Sequence, residues 1–184
     1  MKNTPKITLI SSTDRPGSQT ALISSFLYKK GVEKSYDIDL LDLSKVPLEW
    51  LTNPEYSEEG QHEKLGELQD RFFSKKTTHY IFVVPEYNGS MPGILKLFID
   101  AISVRKYKEN FFHKKGCLIG VASGRAGNIR GLDHLSDILN YLGLIIFPEK
   151  MPISRIYEWV EKNEIMDEEL RKELERLLED FSQF

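Results

Sequence analysis

Three loops carry most of the side chains that could bind a ligand. The first, residues 11–20, holds several hydroxyl groups with Arg15 and Gly17, directly before a segment of helical periodicity. Backbone N–H groups at a helix N-terminus and a guanidinium both attract anions, so this loop suits a phosphate. Two points weigh against that interpretation. Ser18 is also the residue type of an ordinary helix N-cap, and Asp14 opposes an anion unless its side chain points away.

The second loop covers residues 85–93 and reads PEYNGSMPG. Two prolines and two glycines constrain its backbone, so the N–H groups between them can be held at fixed angles towards a flat ligand. A plain turn remains the alternative. Asn88 and Gly89 form a common turn pair, and Pro92 is a common first residue of a helix.

The third loop, residues 123–128, adds a second glycine-rich backbone. Its glycines do not form G-x-G-x-x-G, and the chain has no G-x-x-x-x-G-K-[ST], so neither an ordinary Rossmann dinucleotide site nor a phosphate-loop NTPase is indicated. Ser123 lies one place outside the G-x-S-x-G spacing of a nucleophile elbow, which disfavours a serine hydrolase.

The remaining side chains that could react or bind a metal do not predict a second site. The histidines lack the helical spacing of metal ligands, so no metal site is predicted. His134 is predicted to be a partly buried structural residue. Cys117, the only cysteine, begins an apolar run and is predicted to pack as a small side chain.

The elements that must position these loops alternate between short β-branched runs and longer amphipathic runs, which is typical of βαβ units and a parallel sheet. Strands are predicted over 6–11, 36–43, 78–85, 117–123 and 144–147. Helices are predicted over 19–30, with Gly31 ending the first, and over 58–74, 92–104, 129–142 and 164–184. We expect the second strand near an edge, the third strand in the centre and the last helix packed on the sheet.

Length and composition set further limits. The chain has 184 residues, 40% of them hydrophobic, which suits one domain with one core. A net charge of −3 gives no long-range field for a polyanion, so nucleic acid is not an expected partner. A single cysteine and the absence of a signal peptide or a long apolar run predict a cytoplasmic protein without a membrane span.

The second loop and the helix after it carry a resemblance to a known family. VVPEYNGSMPGILKLFIDAIS, at residues 83–103, resembles the most specific segment of the NADPH-dependent FMN reductases, which are flavodoxin-like proteins. RPGSQT at 15–20 resembles the family's first-loop pattern, and ASG at 122–124 followed by GNIRGLDHLSDILNYLG resembles its third. The likeness covers about residues 6–147. It implies one flavodoxin-like domain over 1–184, a three-layer α/β/α sandwich with a five-stranded parallel sheet of order 2-1-3-4-5.

The resemblance also implies a cofactor site and a reaction. FMN is the expected cofactor, with NADPH or NADH as co-substrate and a quinone, azo compound, free flavin or similar small molecule as electron acceptor. The residues implied to surround the FMN phosphate are Ser12, Arg15, Ser18, Gln19 and Thr20. Those implied to line the isoalloxazine ring are Pro85, Glu86, Tyr87, Asn88 and Gly89, with Ser123, Gly124 and Arg125 completing the pocket.

In this family the flavin performs the hydride chemistry, so the resemblance implies no catalytic side chain. It also implies a homodimer or homotetramer. The alternative function is a flavodoxin-like electron-transfer or flavin-binding module that does not turn over NAD(P)H.

Overall fold

A computed structural model describes residues 5–53 and 55–184. The strands are β1 (Lys6–Ser11), β2 (Asp37–Asp42), β3 (Thr77–Pro85), β4 (Lys115–Val121), β5 (Ile145–Ile146), β6 (Met151–Ile153), β7 (Val160–Glu161) and β8 (Glu164–Ile165). The helices are α1 (Gln19–Glu33), α2 (Glu63–Phe72), α3 (Gly93–Ser103), α4 (Tyr107–Phe111), α5 (Ile129–Tyr141) and α6 (Glu168–Gln183).

The main sheet is parallel and has the order β2-β1-β3-β4-β5, with β6 also paired to β4. This confirms the predicted fold class. β3 lies in the centre and β2 at an edge, as the sequence predicted. The order reverses between β1 and β3, because the chain moves outward to β2 and then crosses back.

Both faces of the sheet are covered by helices. Alternate residues of β3 point to opposite faces, so Tyr80 and Phe82 join the core under α2, α3 and α5, while Ile81 and Val83 join the core under α1 and α6. The result is a three-layer α/β/α sandwich. Its rigid sheet fixes where the loops at the strand ends lie.

The C-terminal helix packs on this sheet, as predicted. Leu174, Leu177, Leu178 and Phe181 are almost fully buried against the α1 face. Helix α6 begins at Glu168 after the N-cap Asp167, and the prediction that it begins at residue 164 was wrong. Residues 164–165 instead pair with β7 in a short hairpin.

The predicted fifth strand is also interrupted. β5 contains two residues, and pairing with β4 resumes only at β6, with Ile119 opposite Met151. Pro148 lies between the two strands and has no N–H to donate to the ladder. The strand predicted over 144–147 does stop before Pro148, but the return of the chain to the sheet at β6 was not predicted.

Two helix boundaries differ from the prediction for local reasons. Helix α1 continues through Gly31 to Glu33, because Gly31 serves close packing and does not end the helix: a Cβ there would lie 3.0 Å from the Ile38 side chain. Helix α2 begins at Glu63, where His62 Nδ1 accepts a hydrogen bond from Lys64 N as the N-cap. None of the helices in the described ranges has the length and apolar character needed to cross a membrane.

Candidate active site

The carboxyl ends of β1, β3 and β4 surround a cavity of about 270 Å³. In an open parallel sheet, the loops that leave neighbouring strands meet at this edge, and ligands bind where the strand order reverses. The cavity therefore lies where the fold favours binding. Its lining consists of Thr13, Arg15, Pro16, Ser18, Gln19, Thr20, Pro85, Glu86, Tyr87, Val121, Ala122, Ser123, Ile156 and Tyr157.

The first loop ends in the N-terminus of α1. Ser18 is the N-cap, and its Oγ accepts a hydrogen bond from Ala21 N at 3.1 Å, which confirms the capping interpretation. Its hydroxyl still has a proton to donate, so capping does not prevent Ser18 from binding an anion. The first turn of α1 holds no acidic residue. The positive end of the helix dipole therefore faces the cavity without a nearby carboxylate from that turn.

The first and second loops are joined through Tyr87. Its hydroxyl lies 2.7 Å from Thr13 Oγ1, and the Arg15 guanidinium stacks on its ring at 4.5 Å from the centroid. Asp14, between these two contacts, is exposed and does not line the cavity. Asp14 therefore disfavours an anion in the cavity less than the sequence suggested, because its side chain does not line the cavity.

The second loop is a tight turn held against β4. Glu86 N donates to Val121 O at 3.0 Å, and Tyr87 and Ser90 exchange two backbone hydrogen bonds. Asn88 and Gly89, between them, have φ values of 51° and 78°. Two consecutive positive φ values are characteristic of a type I′ turn, for which Asn-Gly is the favoured pair. The turn interpretation is confirmed, and Tyr87 at the start of the turn lines the cavity.

The third loop is held by the segment that follows β6. Gly124 O accepts a hydrogen bond from Arg155 N at 3.0 Å, and Arg125 O accepts one from Ser154 Oγ at 2.6 Å. Ile156 N donates to Ala122 O at 3.0 Å. These bonds bring the chain after β6 alongside the third loop.

The structure brings most of the predicted site residues to one cavity. Those that line it are Arg15, Ser18, Gln19, Thr20, Pro85, Glu86, Tyr87 and Ser123. Those that lie in the same loops without lining it are Ser12, Asn88, Gly89, Gly124 and Arg125. Ser12 is fully buried, and its N–H donates to Val83 O at 3.0 Å, so it holds the first loop to β3 from below.

Sequence reasoning missed one side of the cavity. Ile156 and Tyr157 follow the interrupted fifth strand, beyond the stretch that carried the family resemblance. Ile156 is buried and anchors the segment, while Tyr157 is 68% exposed. In the sequence, the return of the chain to the sheet is indicated only by the few apolar residues after Pro148, and this run is too short to predict a strand that pairs with β4.

The other candidate reactive groups are placed elsewhere. Cys117 is fully buried in β4, and burial raises the pKa of its thiol, which agrees with a packing role. His134 is exposed, with Nδ1 2.9 Å from Ser90 Oγ, so the prediction that it is partly buried was wrong. It lies on the outer side of α5 because Leu132 and Leu135 occupy the buried side.

Comparison with known proteins identifies the family. The family model described as NADPH-dependent FMN reductase matches residues 5–158. The chain belongs to this family. The predicted resemblance is therefore confirmed, and it extends past residue 147 to include β6 and Tyr157, the part of the cavity wall that sequence reasoning left out.

Individual relatives agree with this membership. The chain is 28% identical over 152 residues to the NAD(P)H-dependent FMN reductase PA1204 of Pseudomonas aeruginosa, covering 80% of this chain and 78% of the relative. It is 23% identical over 176 residues to an NADPH azoreductase of a Bacillus species, covering 95% and 87%. The solved structure of FerB, a flavoenzyme NAD(P)H:(acceptor) oxidoreductase from Paracoccus denitrificans, superposes with a TM-score of 0.75 at 20% identity, covering 98% and 96%.

Family membership also confirms the predicted activity class and cofactor. The protein is an NAD(P)H-dependent oxidoreductase of the FMN reductase type, with FMN as its cofactor. The fold agrees with this, since an archaeal flavodoxin also superposes, with a TM-score of 0.57 at 13% identity over 96% of this chain and 95% of that one.

Proposed function

We propose that the cavity at the ends of β1, β3 and β4 binds FMN, and that the protein uses this FMN to reduce a small-molecule electron acceptor with NADPH or NADH. The proposal rests on one observation: a surface suited to an anion and a surface suited to a flat ring line the same cavity. The N-terminus of α1 is suited to an anion, and residues 85–87 offer peptide groups and an aromatic ring. FMN has a phosphate at one end and a flat ring at the other.

The FMN phosphate is assigned to the first loop. Ser18, Gln19 and Thr20 form the cap and first turn of α1, and Arg15 can add a charge-assisted hydrogen bond. Gln19 Oε1 is buried without a hydrogen-bond partner among the described residues; as an acceptor it is suited to a donor group of the ligand, such as a ribityl hydroxyl of FMN, and not to the phosphate itself. Ser12 supports the loop from beneath.

The isoalloxazine ring is assigned to the second and third loops. Pro85, Glu86 and Tyr87 line the cavity directly, and Ser123 faces them from the end of β4. Asn88 and Gly89 form the adjoining turn, and Gly124 and Arg125 continue the third loop. Glu86 N and Tyr87 N already donate to Val121 O and Ser90 O. The N–H groups of Asn88, Gly89 and Gly124 have no backbone acceptor among the described residues, so these groups can donate to the polar edge of a ring and stabilise negative charge on it.

Bound FMN would supply a two-electron carrier between two substrates that bind in turn. NAD(P)H gives up a hydride, which is two electrons and one proton. A quinone takes these together with a second proton from water and becomes a hydroquinone. The chain's residues would then serve to orient the cofactor and to stabilise charge, and this agrees with a cavity whose lining combines polar side chains with apolar ones.

Quinones and azo compounds are the acceptor classes we favour. Relatives of this chain are named for both: a 2-hydroxy-1,4-benzoquinone reductase of a Burkholderia species is 30% identical over 104 residues, covering 55% of this chain and 57% of the relative, and the Bacillus relative is an azoreductase. Planar acceptors of this kind would be able to stack on the ring of bound FMN, in the place that the nicotinamide would leave after hydride transfer.

The test begins with flavin-free protein and follows quenching of flavin fluorescence as FMN or riboflavin is added. We then measure oxidation of NADPH and of NADH with benzoquinone and with an azo dye. Binding of FMN with turnover of either acceptor supports the proposal. Binding without turnover would make the protein an electron-transfer module, and failure to bind FMN would reject both functions.

A pair of arginine variants tests the position of the phosphate. Arg15→Leu should weaken FMN binding about tenfold, because a hydrogen bond to a charged group contributes about 1.5–3 kcal/mol and 1.4 kcal/mol corresponds to tenfold in Kd. Riboflavin, which has no phosphate, should lose much less. Arg71→Leu, in α2 on the other side of the molecule from α1, is the matched control and should change neither Kd.

We further propose a homodimer or homotetramer. A shallow cavity of about 850 Å³ lies between α3 and α5, and exposed tyrosines at its rim, Tyr56, Tyr107 and Tyr141, give this face an apolar character. Tyr141 is 89% exposed. Light scattering on the purified protein decides the mass, and Tyr141→Glu should lower it if this face is the interface.

The remaining assignments concern the chain as a whole. We propose that residues 1–184 form one FMN-binding domain, since both hydrophobic cores flank the same sheet. We also propose a cytoplasmic location, supported by a lone buried thiol with no disulfide. Fractionation of cells that express the protein tests the second point.

A further inference from the structure

Asn128 holds the second loop in place although it does not line the cavity. It is the N-cap of α5, is 1% exposed and has a φ of 65°. Asparagine tolerates this left-handed conformation better than most residues. Because Asn128 is buried, its side chain lies inside the protein, and its backbone has a conformation that few other residue types adopt readily.

The side-chain amide of Asn128 bonds to the end of β3. Nδ2 donates to Val84 O at 3.1 Å and to Pro85 O at 3.0 Å, so both amide protons are used. These carbonyls belong to the two residues immediately before Glu86. The opposite orientation of the amide would place Oδ1 against two carbonyl oxygens, so the contacts fix which way the group points.

Space for Asn128 is made by a glycine in the same helix. A Cβ on Gly131 would lie 2.2 Å from Asn128 Oδ1 and 2.8 Å from the carbonyl carbon of Ser90. Glycine within a helix is less favourable than alanine, so its presence needs a packing reason. Here the reason is the contact of α5 with both Asn128 and the second loop.

A second contact fixes the other end of the loop to the same helix. His134 Nδ1 lies 2.9 Å from Ser90 Oγ, and Ser90 exchanges backbone hydrogen bonds with Tyr87. The second loop is thus tied to α5 at residues 84–85 and again at residue 90. Between these ties lie the residues assigned above to the isoalloxazine ring.

We propose that Asn128 is a positioning residue, which through its bonds to Val84 O and Pro85 O orients the second loop towards the isoalloxazine ring of FMN. Within residues 86–89, the N–H groups that this loop has left to offer the ring are those of Asn88 and Gly89, because Glu86 N and Tyr87 N already donate within the protein. This inference rests on the proposed function. It assigns to Asn128 an effect on the ring and none on the phosphate. Losing the side chain should therefore affect FMN and riboflavin equally.

The principal variant is Asn128→Gly, which suits the positive φ and removes the amide. Its matched control is Asn163→Gly, an exposed asparagine with a φ of 62° in the turn of the β7–β8 hairpin. Gly131→Ala is the second variant, because it keeps Asn128 but its Cβ would displace both the Asn128 amide and the backbone at Ser90, the two ties of the second loop to α5. Gly66→Ala in α2, where a Cβ would meet no atom closer than 3.7 Å, is its control.

The readouts are Kd for FMN and for riboflavin, the midpoint potential at saturating FMN, and the thermal unfolding midpoint of the flavin-free protein. We expect both Asn128→Gly and Gly131→Ala to raise the two Kd values by the same factor, about tenfold. The potential should become more negative, since misplaced donors stabilise the reduced ring less. A tenfold larger loss for reduced than for oxidised FMN corresponds to about 30 mV.

The outcomes separate the two proposals. If wild-type protein binds no FMN, the proposed function fails. If it binds FMN, and the folded variants keep wild-type Kd values and potential, then Asn128 only packs α5 and the inference is overturned. A loss confined to FMN, with riboflavin unaffected, would also overturn it, because that result would place the effect at the phosphate.

Discussion

His79 should make the folded protein sensitive to mild acid. It lies in β3 and is 5% exposed, with Nδ1 bonded to Thr78 Oγ1 at 2.8 Å and the ring edge-on to Phe181. Nε2 is buried without a hydrogen-bond partner among the described residues. Burial, with a smaller contribution from the charge of Lys115, lowers the pKa of His79 from 6.5 to about 4.

The sign of the effect follows from which state binds more protons. Between pH 6.5 and 4 the unfolded chain has a protonated histidine and the folded chain does not, so acid favours unfolding. At 1.36 kcal/mol per pH unit, a pKa difference of 2.5 amounts to about 3 kcal/mol in full. Between pH 7 and pH 5 alone, the same two pKa values give a loss of about 2 kcal/mol.

The assay is urea unfolding of flavin-free protein at several pH values from 7 to 5. His79→Gln, which does not titrate, should lose most of this pH dependence, whereas the exposed His113→Asn should keep it. The range above pH 5 isolates the histidine, because Glu149 and Glu168, whose pKa values are lowered from 4.5 by ion pairs, act mainly in stronger acid. Equal pH dependence of wild type and His79→Gln would refute the reasoning.

Three further predictions concern other buried or capping groups. Burial lowers the pKa of Lys114 from 10.5 to about 8, so stability should rise by about 1 kcal/mol from pH 7 to 9, and Lys114→Met should remove this rise in urea unfolding. Ser18→Ala should cost about 1 kcal/mol of stability through the lost N-cap and should weaken FMN binding more than riboflavin binding, measured by fluorescence titration. Because burial raises its pKa, the Cys117 thiol should react with a thiol reagent only after unfolding, followed by absorbance.

The fold could be predicted from sequence because its strongest signals are local. The β3 sequence is apolar on both faces, which identifies a central parallel strand, and α6 has an apolar stripe that needs a sheet to cover it. The fifth strand was harder. Its two parts, β5 and β6, hold two and three residues and depend on pairing with β4, a contact between distant parts of the chain that no local pattern encodes.

Much of the candidate site could also be predicted from the sequence, because its residues stand in local motifs. Arg15, Ser18 and Tyr87 stand in compact motifs next to strand ends, and the topology of a parallel sheet brings those ends together. Tyr157 reaches the cavity only because β6 returns to β4. Thr13 belongs to the first loop, which the sequence identified as a candidate binding loop. Its hydrogen bond to the Tyr87 hydroxyl could not be predicted, because it depends on the position of both side chains in the fold.

The cavity combines polar side chains of the first loop with backbone groups of the second and third loops. On the proposed function, an acceptor and a nicotinamide would bind in turn at one place and could not both be matched by the same fixed side chains, so we expect the chain's residues to act mainly on the cofactor. Backbone N–H groups serve this purpose only if their loops are rigid, since a donor contributes most when it needs no reorganisation. The bonds from Asn128, Thr13 and Ser154 to neighbouring loops provide that rigidity. Substitutions that loosen these bonds should therefore alter the flavin's affinity and potential before they alter the choice of acceptor.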